Sequence, residues 1–144
     1  MKDLLARCKG RGDLLPVLEE GQARYGYLPP EFLSGLADSL DLPVNEIYGV
    51  ASFYSFLSTK PLGRNAIRVC KCLPCDLKGG KDLLESIQVA LGIGLGETTS
   101  DGNFSLLVTN CIGACDEAPA MMVNGDRYGR IDSAGIKDVL ARYR

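Results

Sequence analysis

Three cysteines stand within six positions in Cys70-Lys71-Cys72-Leu73-Pro74-Cys75, and two more in Cys111-Ile112-Gly113-Ala114-Cys115. Taken at their outer positions, the two groups read Cys70-x4-Cys75, 35 intervening residues, then Cys111-x3-Cys115. Three chemistries suit such a set. Four thiolates satisfy a [2Fe–2S] cluster, two on each iron. They also satisfy a structural zinc ion, although zinc pairs are more often spaced C-x2-C. Cys72-Leu73-Pro74-Cys75 alone suits a thiol–disulfide site, in which a helix N-terminus lowers the thiol pKa. The remaining cysteine, Cys8, lies among polar residues such as Lys9 and Arg11 and is read as unligated.

The chain contains no histidine. That removes mixed cysteine–histidine zinc sites, Rieske clusters, imidazole-activated nucleophiles and imidazole copper sites. Any metal must be held mostly by sulfur, and soft thiolates favour Fe–S and zinc. Gly113 and Ala114 leave space for inorganic sulfide and let backbone N–H groups point at it. Other motifs carry little. Gly92-Ile93-Gly94-Leu95-Gly96 lacks the GxGxxG spacing of a dinucleotide loop and follows a helical pattern, not a strand. Gly79-Gly80-Lys81-Asp82 lacks the hydroxyl residue and the upstream glycine of a phosphate-binding loop. No pair of residues forms a catalytic dyad, so the chain is read as not catalytic by itself.

Bulk properties narrow the class. The 144 residues carry a net charge of −2, with 46% hydrophobic and 24% charged residues, which is ordinary for a soluble domain. Without a basic run, nucleic acid is not an expected partner. No apolar stretch approaches the roughly 18 residues that would suggest a membrane span. The segment Met1–Cys8 lacks the apolar core of a signal peptide. The expected location is therefore cytoplasmic, with any membrane reached through partners. Clustered cysteines in a reducing compartment more often bind metal or do redox work than form structural disulfides.

Two regions must position the cysteines. Residues 1–60 read as a helical bundle. One helix begins at Asp13, expected as its cap. A second begins near Pro30 with Phe32, Leu33, Leu36, Ala37 and Leu40 in register. A third runs from about Val44 through Ile47, Tyr48, Ala51, Phe53 and Tyr54 to Leu57. The aromatics are read as core, with a docking face as the other reading. Residues 61–144 read differently. Asn65 to Cys70 is a strand with Ile67 and Val69 on one face and Arg68 and Cys70 on the other. A helix from Lys78 to Leu91 follows, capped by Gly92. Two strands are expected between Thr98 and Thr109. A hairpin turns at Asn124-Gly125, and a last helix is capped by Asp132. The class is α+β.

Three segments carry a resemblance: "LLPVLEEGQARYGYLPPEFL", "LPVNEIYGVASFYSFLSTKPLGRNAIRVC" and "CIGACDEAPAMMVNGDRYGRI". They resemble the small [2Fe–2S] subunit of NADH-linked respiratory complex I, a family that also serves NAD(P)-linked and electron-bifurcating hydrogenases and formate dehydrogenases. The resemblance implies a thioredoxin-like ferredoxin domain behind the N-terminal bundle. It implies a [2Fe–2S] cluster held by Cys70, Cys75, Cys111 and Cys115. It implies an electron-transfer role, with electrons exchanged with the flavin of an NADH-binding partner, FMN and NAD(P)H bound on that partner only, and further iron–sulfur subunits in the same complex. One departure stands out. Relatives often read C-x-G-T-x-C in the first loop, whereas this chain places a third thiol, Cys72, where a non-ligand is expected.

Overall fold

A run of six residues, Asn65–Cys70, forms strand β1 and is buried along its whole length. Its β-branched and aliphatic residues suit a central strand covered on both faces. In the computed structural model, which describes residues 2–143, β1 lies inside a four-stranded sheet of order β2-β1-β3-β4. Strand β2 (Phe104–Thr109) runs parallel to β1, with Cys70 opposite Thr109. Strands β3 (Ala120–Val123) and β4 (Asp126–Gly129) add antiparallel. The chain forms two compact units, Met1–Pro61 and Leu62–Arg144.

The first unit is helical. It comprises α1 (Lys2–Leu5), α2 (Leu14–Tyr25), α3 (Pro30–Leu40) and α4 (Val44–Phe53). Leu4, Leu18, Leu28, Phe32, Leu36 and Ile47 bury completely among them, and Cys8 is buried in the same core. The Gln22 side chain closes the unit. Its amide donates to Phe56 O at 2.5 Å, and its carbonyl accepts from Ser58 N–H at 2.5 Å.

Two expectations fail here. Asp13 does not cap α2 with its side chain; its carboxylate accepts instead from Lys9 N–H at 3.0 Å. The chain enters α2 through a 3-10 turn at Arg11–Asp13, so Asp13 has helical dihedrals and its side chain reaches backwards. The third helix ends at Phe53, and its aromatics are not core. Only Ile47 and Ala51 bury, while Tyr48, Phe53 and Tyr54 are 49%, 78% and 41% exposed. Small and aliphatic residues fill the inner face, which leaves the rings outside.

The second unit sets helices against one sheet face. Helix α5 is a single turn at Leu73–Cys75, followed by α6 (Lys81–Leu91) and α7 (Ser133–Ala141). Leu83 and Ile87 of α6 and Ile136, Val139 and Leu140 of α7 share a core with Ile67, Val69, Leu106, Met121 and Val123. This is the face predicted from the alternation of β1. Gly92 ends α6 in the left-handed region, and Asp132 caps α7 by accepting from Gly135 N–H at 2.8 Å. The Tyr143 carbonyl accepts from the side chains of Asn65 and Asn103, tying the end of the chain to the starts of β1 and β2.

Only one of the two strands expected between Thr98 and Thr109 forms. Thr98 makes a single bridge to Ser105. Asp101 accepts from Asn103 N–H at 2.9 Å and from the Thr99 hydroxyl at 2.5 Å. Side chains thus satisfy backbone groups that a ladder would have used. Helix α6 begins three residues later than expected. Lys78 and Gly79 leave helical dihedrals, Gly79 with φ +97°, so the chain bends before the helix starts.

Candidate metal centre

Parallel pairing of β1 with β2 puts the ends of both strands at the same edge of the sheet. Both cysteine loops start there, one after Cys70 and one after Thr109. Lys71 N–H donates to Thr109 O at 3.0 Å and continues the ladder by one residue. The Asn110 carbonyl, at the start of the second loop, then receives the first loop. It accepts from the Cys70 thiol at 3.4 Å and from the Cys72 thiol.

Each cysteine has a distinct environment. Cys70 and Cys75 are 2% and 1% exposed and share a small core with Ala114, Ala118 and Ala120. Small residues at these positions leave room beside the sulfurs. Cys72 precedes α5 with extended dihedrals and is partly exposed. Cys111 and Cys115 are exposed on the second loop. Gly113 N–H donates to the Cys111 sulfur at 3.4 Å, and the φ of +71° that aims it there suits glycine.

The Cys70 and Cys72 thiols converge on one acceptor, Asn110 O, in the residue before Cys111, and Cys70, Cys72 and Cys75 meet around the same alanine core. Among the described residues, no three His, Cys, Asp or Glu groups gather around a single point as a one-ion site. The structure thus brings Cys70, Cys75, Cys111 and Cys115 to one end of the sheet, with Cys72 packed beside the first pair.

Charge is disfavoured on most of these sulfurs. Loss of hydration pushes the Cys72 thiol up to about 11, with the neighbouring Cys70 adding to the shift. Loss of hydration also raises Cys75 and Cys115. Cys111 is lowered, chiefly by the Gly113 N–H. A redox-active thiol needs a lowered pKa, and neither member of the Cys72/Cys75 pair has one. A cationic metal reverses this balance, because coordination deprotonates a thiol outright. The donor set is all sulfur, paired and soft, and it fits an iron–sulfur cluster.

Two features near the site are not evident from motif spacing. Gly80 lies against the back of the first loop, where a Cβ would stand 2.8 Å from Cys75 O and 3.0 Å from its carbonyl carbon. Backbone atoms cannot yield as a flexible side chain would. Gly80→Ala is therefore expected to destabilise the unit by about 1–3 kcal/mol through overpacking, read as an earlier urea midpoint with an unchanged slope. The second feature is a pair of exposed leucines, Leu73 at 68% and Leu77 at 76%, beside the cysteines. The Gly79-Gly80 pair ahead of a helix was the available signal for the first. The leucines have no signal in the sequence, since apolar residues near a helix start are ordinarily read as core.

Similarity to known proteins agrees with this geometry. A family model described as thioredoxin-like [2Fe-2S] ferredoxin matches residues 2–144. A subunit of the NADH-quinone oxidoreductase of Aquifex aeolicus is 42% identical, the match covering 94% of this chain and 84% of that protein. The HndA subunit of the NADP-reducing hydrogenase of Solidesulfovibrio fructosivorans is 37% identical over 92% of this chain and 77% of its own length. Among solved structures, the NAD+-reducing [NiFe]-hydrogenase in its air-oxidised state superposes with a TM-score of 0.75 at 29% identity. That match covers 91% of this chain and only 22% of the hydrogenase chain. The chain belongs to the thioredoxin-like [2Fe–2S] ferredoxin family.

Proposed function

We propose that the chain is an electron-transfer subunit of a multi-subunit NAD(P)H-linked oxidoreductase. It carries one [2Fe–2S] cluster held by Cys70 and Cys75 on one iron and by Cys111 and Cys115 on the other. The observation that carries this reading is the meeting of the two cysteine loops at one edge of the sheet, with Cys70 and Cys72 of the first loop donating to Asn110 O of the second. The cluster supplies a one-electron redox centre when bound. The chain's own residues would fix the thiolates: Cys70 and Cys75 from a buried base, and Cys111 and Cys115 from an exposed loop. A donor such as the Gly113 N–H stabilises negative charge on sulfur, which raises the reduction potential.

The proposed electron partner is a flavin- and NADH-binding subunit, with other iron–sulfur subunits beyond it. The relatives named above are subunits of NADH-quinone oxidoreductase and of NADP-reducing hydrogenase, which supports that assignment. Leu73 and Leu77, exposed next to the cysteines, provide an apolar rim for docking at the site of exchange. The reading places the subunit in the cytoplasm. Among the described residues, no helix is long and apolar enough to cross a membrane, so contact with one would run through partners.

The direct test is metal and sulfide analysis of anaerobically purified protein. The expected result is a red-brown chain with about two iron and two sulfide. Stoichiometric zinc without sulfide would overturn the assignment in favour of a structural zinc module.

A further inference from the structure

Strand β1 carries one charge into the interior. Arg68 is 6% exposed, and no other residue of β1, β2 or β3 is charged. Alternation sets its side of the sheet. Ile67 and Val69 face α6 and α7, so Arg68 and Cys70 share the opposite face. Two residues along a strand span roughly 7 Å, so the Arg68 side chain starts one step from a buried cysteine. The neighbouring strand repeats this relation. Met122 stands opposite Arg68, and Ala120, on the same face of β3, belongs to the core around Cys70 and Cys75. A buried cation and the cysteine core thus occupy one face of the sheet.

We propose that Arg68 is a buried counter-charge to the cluster and raises its reduction potential. This rests on the [2Fe–2S] reading above. A cluster held by four thiolates is anionic when oxidised and gains one more negative charge when an electron enters. A fixed cation on the same face stabilises the more negative state more, because Coulomb energy scales with the product of the charges. The step moves one electron, from the flavin of the partner in that reading. No bond forms or breaks, and no proton moves, because a guanidinium is already fully charged. Burial decides the size of the effect. Charges in water are screened over about 10 Å at 0.1 M salt, whereas buried charges are screened much less. Burying a cation is costly, and an anionic cluster on the same face offsets that cost.

The test uses the full chain as wild type, Arg68→Met, Arg68→Gln, Arg68→Lys and Arg127→Met, each reconstituted anaerobically with iron and sulfide. The midpoint potential is read by dye-mediated titration with EPR, in dilute buffer and in about 1 M salt, where screening shortens to about 3 Å. Wild type holding no iron and sulfide would refute the [2Fe–2S] reading itself. With wild type loaded, Arg68→Met and Arg68→Gln are expected to keep iron and sulfide at the wild-type ratio. Their potentials should fall below wild type, and the difference should persist in high salt. Arg68→Lys keeps the charge and should stay near wild type. Arg127 lies on the same face but is exposed, and Arg127→Met should match wild type in high salt. A wild-type potential in the loaded neutral variants would overturn the proposal. So would a fall in Arg68→Lys equal to that in Arg68→Met, since shape and not charge would then set the potential. If neither neutral variant holds a cluster, Arg68→Lys decides the matter: a loaded lysine variant upholds the need for a cation, and an empty one overturns it.

Discussion

Cys75→Ala is expected to abolish the cluster, and Cys70→Ala to lose it or leave it labile, while Cys72→Ala leaves iron and sulfide unchanged. Cys70 and Cys75 sit in one buried pocket with alanines around them. Removing either leaves one thiol where iron requires two. Cys72 packs against the rim of that cluster, partly exposed, with its thiol donating to Asn110 O. Alanine is the stricter substitution, because a serine oxygen can sometimes replace thiolate on iron. Iron content, visible absorption and EPR of the three variants, at matched far-UV circular dichroism, check the result. Loss of cluster in Cys72→Ala with retention in Cys70→Ala would make Cys72 and Cys75 the native pair and leave Cys70 spare.

The second large effect concerns NADH. The isolated chain is expected to show no NADH oxidation, and its cluster is expected to be reduced by NADH only when the flavin-binding partner is added. The glycine-rich run at 92–96 is occupied by structural work. Gly92 terminates α6 in the left-handed region, Gly96 N–H donates to Leu106 O, and Gly94 N–H donates to the Glu97 carboxylate at 2.5 Å. A carboxylate already occupies the amide that a phosphate would use, and it would repel one. Stopped-flow absorption of the oxidised cluster, with NADH alone and with NADH plus partner, measures both halves. Appreciable turnover by the purified chain alone would show a nucleotide site on this subunit. In the paired experiment, Leu73→Asp/Leu77→Asp should slow reduction through the partner while cluster content stays at the wild-type level, because the change falls on the exposed rim and not on a sulfur.

Local chemistry was legible in the sequence wherever a few neighbouring residues settle the structure. The absence of histidine confined any metal to sulfur. The alternation of Ile67 and Val69 with Arg68 and Cys70 placed β1 and its core face, and Gly92 and Asp132 marked helix ends that the structure shows. These are short-range properties of backbone dihedrals and side-chain period. Spacing by itself left iron–sulfur, zinc and thiol chemistry all open. Where side chains competed with the backbone, local reading failed: Asp13 bonds backwards to Lys9, and Asp101 satisfies a turn in place of a strand.

Tertiary structure decided what depends on contacts distant in sequence. The parallel register of β1 on β2 brings two loops, separated by 35 residues, to one edge. No local periodicity encodes that pairing, since its register follows from packing both strands against α6 and α7. Strand parity pointed Cys70 away from the Ile67 face, but only the alanine pocket buries it. Packing also exposed Tyr48 and Phe53, which an apolar helix pattern assigned to the core. It set Gly80 against Cys75 O, and it placed the Cys72 thiol on Asn110 O, beside the start of the second cysteine loop. The cysteines, their softness and the surplus thiol were thus determined by sequence, whereas their burial and proximity were determined by the fold, because burial and proximity are properties of the whole packed chain.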